Sequence, residues 1–133
     1  MPAEFYYKRR VQFAETDLAG IVHFSWYFRY MEEAEHALWR SLGLQVAPQG
    51  EPLGYPRVAA SCDFKAPLRF EDEFEVHVRV DAVSRRSLRY QFTLRRGDDV
   101  LATGSMTSVC VEKRPGVPVR SVALPEVVVT RLT

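Results

Sequence analysis

Hydrophobic and polar residues change period twice along this chain. From Glu4 to Phe13 they alternate, with Phe5, Tyr7, Val11 and Phe13 on one side and Glu4, Lys8, Arg10 and Gln12 opposite, which predicts a strand. An acidic, glycine-containing turn (Glu15, Thr16, Asp17, Gly20) breaks it. Beyond the turn Phe24, Phe28, Met31, Ala34, Leu38 and Leu42 recur at helical spacing, the pattern of a long amphipathic helix with one buried face. Ser25 suits its N-cap, and Gly43 suits a left-handed stop just past its end. A connection rich in Pro and Gly follows, from Pro48 to Pro56.

After Arg57 the period returns to two. Val58, Ala60, Cys62 and Phe64 alternate with Arg57, Ala59, Ser61 and Asp63, and Glu71-Asp72 makes a turn. Phe74, Val76, Val78, Val80 and Ala82 then face one way, with Glu73, Glu75, His77, Arg79 and Asp81 the other. Ser84 to Ser87 leads into Leu88–Arg96, the Gly97-Asp98-Asp99 hairpin turn and a last long strand from about Val100 to Glu112. The apolar Val127-Val128-Val129 in the tail is either a short helix or an extended edge. The order is thus a strand, a long helix and four antiparallel strands. A sheet with one apolar face needs cover, and one helix is there to give it. The predicted class is α+β: a curved antiparallel sheet wrapped around a central helix, forming a single domain over residues 1–133.

Composition narrows the function only a little. The formal net charge of +1 gives no electrostatic case for nucleic acid as a partner. No apolar run approaches the ~18–20 residues of a membrane span, and the N-terminus lacks the apolar core of a signal peptide. The two cysteines, Cys62 and Cys110, fall in predicted strands without recurring spacing, so they read as buried reduced thiols in a cytoplasmic protein. No metal is expected: His36 shares a charged helix face with Glu32 and Arg40, and His77 alternates with charges on a strand.

The candidate chemistry lies where the turn meets the helix. Asp17 is either a turn or capping carboxylate, or a catalytic one placed beside free backbone N–H groups and the positive end of a helix dipole. His23 is either a pocket residue able to donate a proton or an imidazole held by nearby backbone. Glu32, Glu33 and Glu35 read as solvated or subunit-contact charges. The aromatics Phe13, Phe24, Trp26 and Tyr27 form either an apolar pocket or plain core. Arg85, Arg86 and Arg89, with Arg95, Arg96, Lys113 and Arg114, either bind phosphates or protect sheet edges, and Ser87 would join Arg86.

The layout, with Asp17, Gly20, Ile21, Val22, Phe24, Tyr27, Arg29, Tyr30 and Glu33 in order, resembles the hotdog-fold thioesterases, in particular the 4-hydroxybenzoyl-CoA thioesterase and YbgC-like acyl-CoA thioesterase group. Ala66-Pro67-Leu68 and Ala102-Thr103-Gly104 extend the likeness. The resemblance implies hydrolysis of an acyl- or aryl-CoA thioester, with Asp17 as the catalytic carboxylate and the Phe24 backbone N–H polarising the carbonyl. His23 would assist, and Gly20, Trp26, Tyr27, Arg85, Arg86 and Ser87 would contact substrate. It implies no retained cofactor, since coenzyme A is part of the substrate. It also implies a homodimer or homotetramer whose active site lies at a shared sheet. The sequence departs from the group where a Tyr and a His are usual, since Phe13 and Phe24 stand there; Trp26 replaces a common Asn. Two other readings stay open, a hotdog hydratase or dehydratase and a non-catalytic acyl-CoA binding protein. Against the first, Asp17 and His23 are six apart and the Asn-Pro of that motif is missing.

Overall fold

In the computed structural model of the chain, which describes residues 2–133, the elements run as follows. They are β1 (Glu4–Arg10), a 3-10 turn (Phe13–Glu15), α1 (Ser25–Ser41), β2 (Leu53–Gly54), β3 (Arg57–Phe64), β4 (Glu73–Val83), β5 (Ser87–Arg96), β6 (Asp99–Val109), β7 (Val111–Glu112), β8 (Arg120–Ser121) and α2 (Glu126–Leu132). Five strands make the main sheet in the order β1-β4-β5-β6-β3, every neighbouring pair antiparallel. Its inner face is the alternating row read from the sequence: Phe74, Val76, Val78 and Val80 on β4, and Leu88, Tyr90, Phe92 and Leu94 on β5. These side chains close on Tyr30, Met31, Ala34, Leu38 and Trp39 of α1, so the sheet wraps one helix. Ala82, expected in the row, is exposed because a bulge between Val80 and Ala82 shifts the register.

Both ends of α1 have identifiable causes. Gly43 takes φ +72°, its N–H reaches the Arg40 carbonyl at 3.0 Å, and the Leu44 N–H reaches Trp39 at 2.9 Å, a Schellman stop. At the other end Ser25 is the first helical residue and not the cap; its hydroxyl pairs with His23 Nδ1 at 2.8 Å instead. The buried face is also broader than the predicted stripe. It includes Tyr27, Tyr30 and Trp39, whereas Phe24 stays 63% exposed.

Three further expectations are corrected. Strand β1 stops at Arg10, and Phe13 opens the 3-10 turn 75% exposed. Glu35 is not a solvated charge: it is 2% exposed and pairs with Arg57 at 2.6 Å, whereas Glu33 stays partly exposed and pairs with Arg9 at 3.0 Å. The Pro/Gly-rich connection and the chain beyond Cys110 supply a second, three-stranded sheet, β2-β7-β8. The tail itself is helical. Val128 and Leu132 of α2 are buried, and Arg131 Nη1 donates to the Leu42 carbonyl at 2.9 Å, across the end of α1.

One glycine sets how closely the layers approach. A Cβ at Gly104 of β6 would lie 2.6 Å from the Ser61 carbonyl oxygen and run into the Met31 methyl. The helix therefore comes down on β6 where there is no side chain. Next to β6, the outer edge of β3 has no strand partner among the described residues, and Val58 is 60% exposed along it. Among the described residues, no helix is long and apolar enough to cross a membrane.

Candidate functional site

The turn between β1 and α1 is built as a miniature hairpin. Thr16 faces Val22, the Asp17 N–H donates to the Ile21 carbonyl at 2.9 Å, and the His23 N–H donates to the Glu15 carbonyl at 2.9 Å. The Gly20 N–H closes the tip on the Asp17 carbonyl at 3.0 Å, with Gly20 at φ +79°, a conformation that favours glycine. The returning arm is anchored by the Val22 N–H to the Leu68 carbonyl at 2.8 Å. Asp17 is exposed at the start of the tip; its Oδ1 accepts the Ala19 N–H at 2.9 Å, leaving the second oxygen without a partner among the described residues.

Asp17 opens into a cavity of about 490 Å³ lined by Ile21, Val22, Phe24, Tyr27, Phe64, Lys65, Ala66 and Pro67. Its walls are mostly apolar. The Tyr27 ring packs edge-on against Phe64 with centroids 4.8 Å apart. Burial raises the Tyr27 hydroxyl pKa above that of a free tyrosine, a backbone hydrogen bond from Leu68 working against it, so this wall carries a neutral hydroxyl. Phe24 stands at the helix start, and its N–H donates to no acceptor among the described residues. A polarisable carbonyl placed there meets an unsatisfied donor and the positive end of α1, the geometry that stabilises an oxyanion.

The other residues singled out from the sequence fall in three places. Gly20 shapes the Asp17 turn without lining the cavity. His23 is turned to Ser25 and leans on the Phe24 ring at 4.6 Å, outside the lining. Trp26 also lies outside it, half-buried beside Tyr30 and under the Arg29 guanidinium at 5.4 Å. Arg85, Arg86 and Ser87 sit at the opposite end of the sheet: Phe64 pairs with Ala102, while Ser87 pairs with Val109, seven residues along β6 or about 23 Å. Within one chain they are out of reach of Asp17. The sequence reading missed the wall from Phe64 to Pro67, which comes from the β3–β4 connection and meets the turn only in three dimensions. A larger cleft of about 580 Å³ is lined by Lys8, Arg10, Glu73, Glu75 and Arg95 among others. Its charges oppose one another, Arg10 pairing with Glu73, and it has no carboxylate set against a free helix terminus.

The chain resembles known proteins over almost its whole length. A crystal structure of a hypothetical protein from Aquifex aeolicus superposes with a TM-score of 0.86 at 34% identity, covering 97% of this chain and 99% of that one. A 1,4-dihydroxy-2-naphthoyl-CoA hydrolase from Synechocystis is 31% identical over 112 residues, which span 80% of each protein. The structure of a gentisyl-coenzyme A thioesterase superposes with a TM-score of 0.85 at 28% identity, over 97% of this chain and 100% of the other. A family model described as the thioesterase superfamily matches residues 19–103, beginning two residues beyond Asp17. With its sheet wrapped on one long helix, this chain belongs to the thioesterase superfamily and has the hotdog fold.

Proposed function

We propose that the chain hydrolyses the coenzyme A thioester of an aromatic acid, with Asp17 and the Phe24 N–H as its working groups. One observation carries this reading: Asp17, with one carboxylate oxygen free of partners among the described residues, and Phe24, the residue at the helix start, line one mostly apolar, aromatic-walled cavity. Two relatives support the aryl preference by their names, one for dihydroxynaphthoyl-CoA and one for gentisyl-CoA. In the reaction an oxygen, either of Asp17 or of a water that Asp17 deprotonates, adds to the thioester carbonyl. The carbonyl oxygen takes the negative charge and is held by the Phe24 N–H. The C–S bond then breaks, the thiolate leaves with a proton, and net addition of one water gives the free acid and coenzyme A. Coenzyme A is substrate here, not a resident group, which fits a cytoplasmic setting.

The reading includes a second copy of the chain. Strand β3 is an eight-residue edge with Val58, Ala59, Ala60 and Phe64 exposed, the kind of edge that folded proteins cover. Antiparallel pairing of two β3 strands about a two-fold axis would set the Arg57 end of one copy beside the Phe64 end of the other. The partner's basic β4–β5 turn would then approach the cavity and supply charge for the phosphates of coenzyme A. Two such dimers would make a tetramer.

The test is thiol release from benzoyl-, 4-hydroxybenzoyl- and hydroxynaphthoyl-CoA against acetyl- and palmitoyl-CoA. Turnover is expected for the aryl esters and should fall roughly 10²–10⁴-fold in Asp17→Asn while ester binding persists. Equal turnover in the variant would overturn the assignment of the site.

A further inference from the structure

Glu15 lies two residues before Asp17, in the same turn, yet its side chain is interior and only 2% of the residue is exposed. Four donors converge on the carboxylate. Arg9 supplies Nη1 at 3.0 Å to Oε1 and Nη2 at 2.6 Å to Oε2, the Gln12 N–H comes to 2.9 Å and the Tyr30 hydroxyl to 2.7 Å. The same guanidinium stacks over the Tyr30 ring at 5.0 Å and reaches Glu33 through Nε at 3.0 Å, and Glu33 in turn accepts the Tyr7 hydroxyl at 2.9 Å. One carboxylate thus ties together β1, the 3-10 turn and α1.

The backbone of Glu15 completes the arrangement. Its carbonyl accepts the His23 N–H, the outermost rung of the hairpin-like turn, and Phe24 is the next residue along. Both groups invoked above, the Asp17 carboxylate and the Phe24 N–H, are therefore suspended from this residue, one on each arm. A buried ion pair gives little net stability compared with apolar side chains of the same volume. The apolar core around it does not need a charge at this point. What the charge does supply is direction: four donors fix the carboxylate from three sides, so the turn above it has one setting relative to the helix.

We infer that Glu15 is a positioning residue for the thioesterase site, holding Asp17 in register with the Phe24 N–H through its contacts to Arg9, Gln12 and Tyr30. This inference rests on the reading of Asp17 given above.

Two measurements on wild type, Glu15→Gln, Tyr30→Phe and Asp17→Asn test it. The first is kcat and KM for 4-hydroxybenzoyl-CoA well below the melting temperature of every variant. The second is amide hydrogen exchange in the turn, which needs no substrate. Glu15→Gln should lower kcat roughly 10–100-fold with KM within about 3-fold, the effect of a reacting group displaced by a fraction of an ångström or more. The amides of Asp17 and His23 should exchange faster while those of Val78 and Phe92 in the sheet do not change. Tyr30→Phe, which keeps the Arg9 pair, should shift both readouts the same way by less, and serves if Glu15→Gln does not fold. A lower melting temperature with kcat unchanged, or Asp17 and His23 amides as protected as in wild type, would overturn the inference. If wild type hydrolyses no ester, the reaction reading fails by itself. The exchange result then still decides whether Glu15 sets the turn, and protection unchanged in Glu15→Gln would refute it.

Discussion

Arg57 on edge strand β3 holds Glu35 of the central helix in a two-pronged ion pair, Nη1 to Oε2 at 2.8 Å and Nη2 to Oε1 at 2.6 Å. The Ser108 hydroxyl takes a further bond from Nη1 at 2.7 Å, so three elements meet at one guanidinium. Because Glu35 is buried, removing only the cation leaves an uncompensated charge inside. Arg57→Met should therefore cost about 3–5 kcal/mol of unfolding free energy in a urea titration. Arg57→Met with Glu35→Leu should recover most of that loss, since an apolar pair of similar volume is tolerated there.

The approach of α1 to β6 at Gly104 makes a second prediction. Gly104→Ala must displace both the Met31 methyl and the Ser61 carbonyl, and should destabilise by about 1–3 kcal/mol. Adding Met31→Ala should not restore this, because the carbonyl of the neighbouring strand stays where it was and losing the fully buried Met31 side chain costs about 2–5 kcal/mol of its own. Thermal unfolding of the single and double variants would show it.

The Glu15 carboxylate gives stability a pH dependence. Burial alone would raise its pKa, but the Arg9 guanidinium, the Gln12 amide and the Tyr30 hydroxyl outweigh burial and bring it below the usual glutamate value. The groups facing it are Arg9, held protonated by Glu15 and Glu33 against burial, and Tyr30, whose hydroxyl pKa is raised by burial and by Glu15. A group with a lowered folded-state pKa binds fewer protons folded than unfolded. Its contribution is complete above the unfolded value of about 4.3 and is lost as pH falls through the folded value. Unfolding free energy should thus drop on acidification below about pH 4.3, and Glu15→Gln should flatten that limb of the profile.

Strand β3 can be tested by charge. Val58→Asp puts a carboxylate at the exposed edge, and the proposed dimer should dissociate at micromolar concentration by sedimentation. Thiol release should fall with it, because the partner's basic turn would no longer reach the cavity. A variant that sediments like wild type would refute pairing through β3.

Much of this architecture was readable from periodicity, and the exceptions have definite causes. The row Phe74, Val76, Val78 and Val80 alternates over a strand buried on one face, so its register follows from the sequence. Strands β2, β7 and β8 have two residues each, too few to show a period. The tail was ambiguous in sequence because three consecutive valines fit either element. The helical spacing of Val128 and Leu132 is what the core selects. Two glutamates among the described residues are buried, Glu35, which read as a solvated or subunit-contact charge, and Glu15, which read only as part of an acidic turn, although each carried a signal. Glu35 lies one turn beyond Met31, on the apolar stripe of α1, and Arg9 occupies the inward row of β1 with Phe5 and Tyr7. Asp17 and Phe24 could be paired as candidates from the sequence because the turn and the helix start adjoin there. The wall that faces them comes from some forty residues later, and no local pattern announces it.

That separation has a consequence for how such a protein can change. The turn is set by β1 and α1, through residues 9 to 33, while the facing wall from Phe64 to Pro67 hangs on the β3–β4 connection and is anchored at Leu68. Substitutions in those four positions alter the shape of the cavity without touching the ion pairs that hold the turn. Under the proposed reading, selection or an engineer can thus retune the preferred acid in one segment and leave the groups proposed for hydrolysis in place in another. A library confined to residues 64–67 should yield altered acyl preference at nearly constant melting temperature, whereas the same diversity at residues 9, 15 or 30 should yield mostly inactive chains.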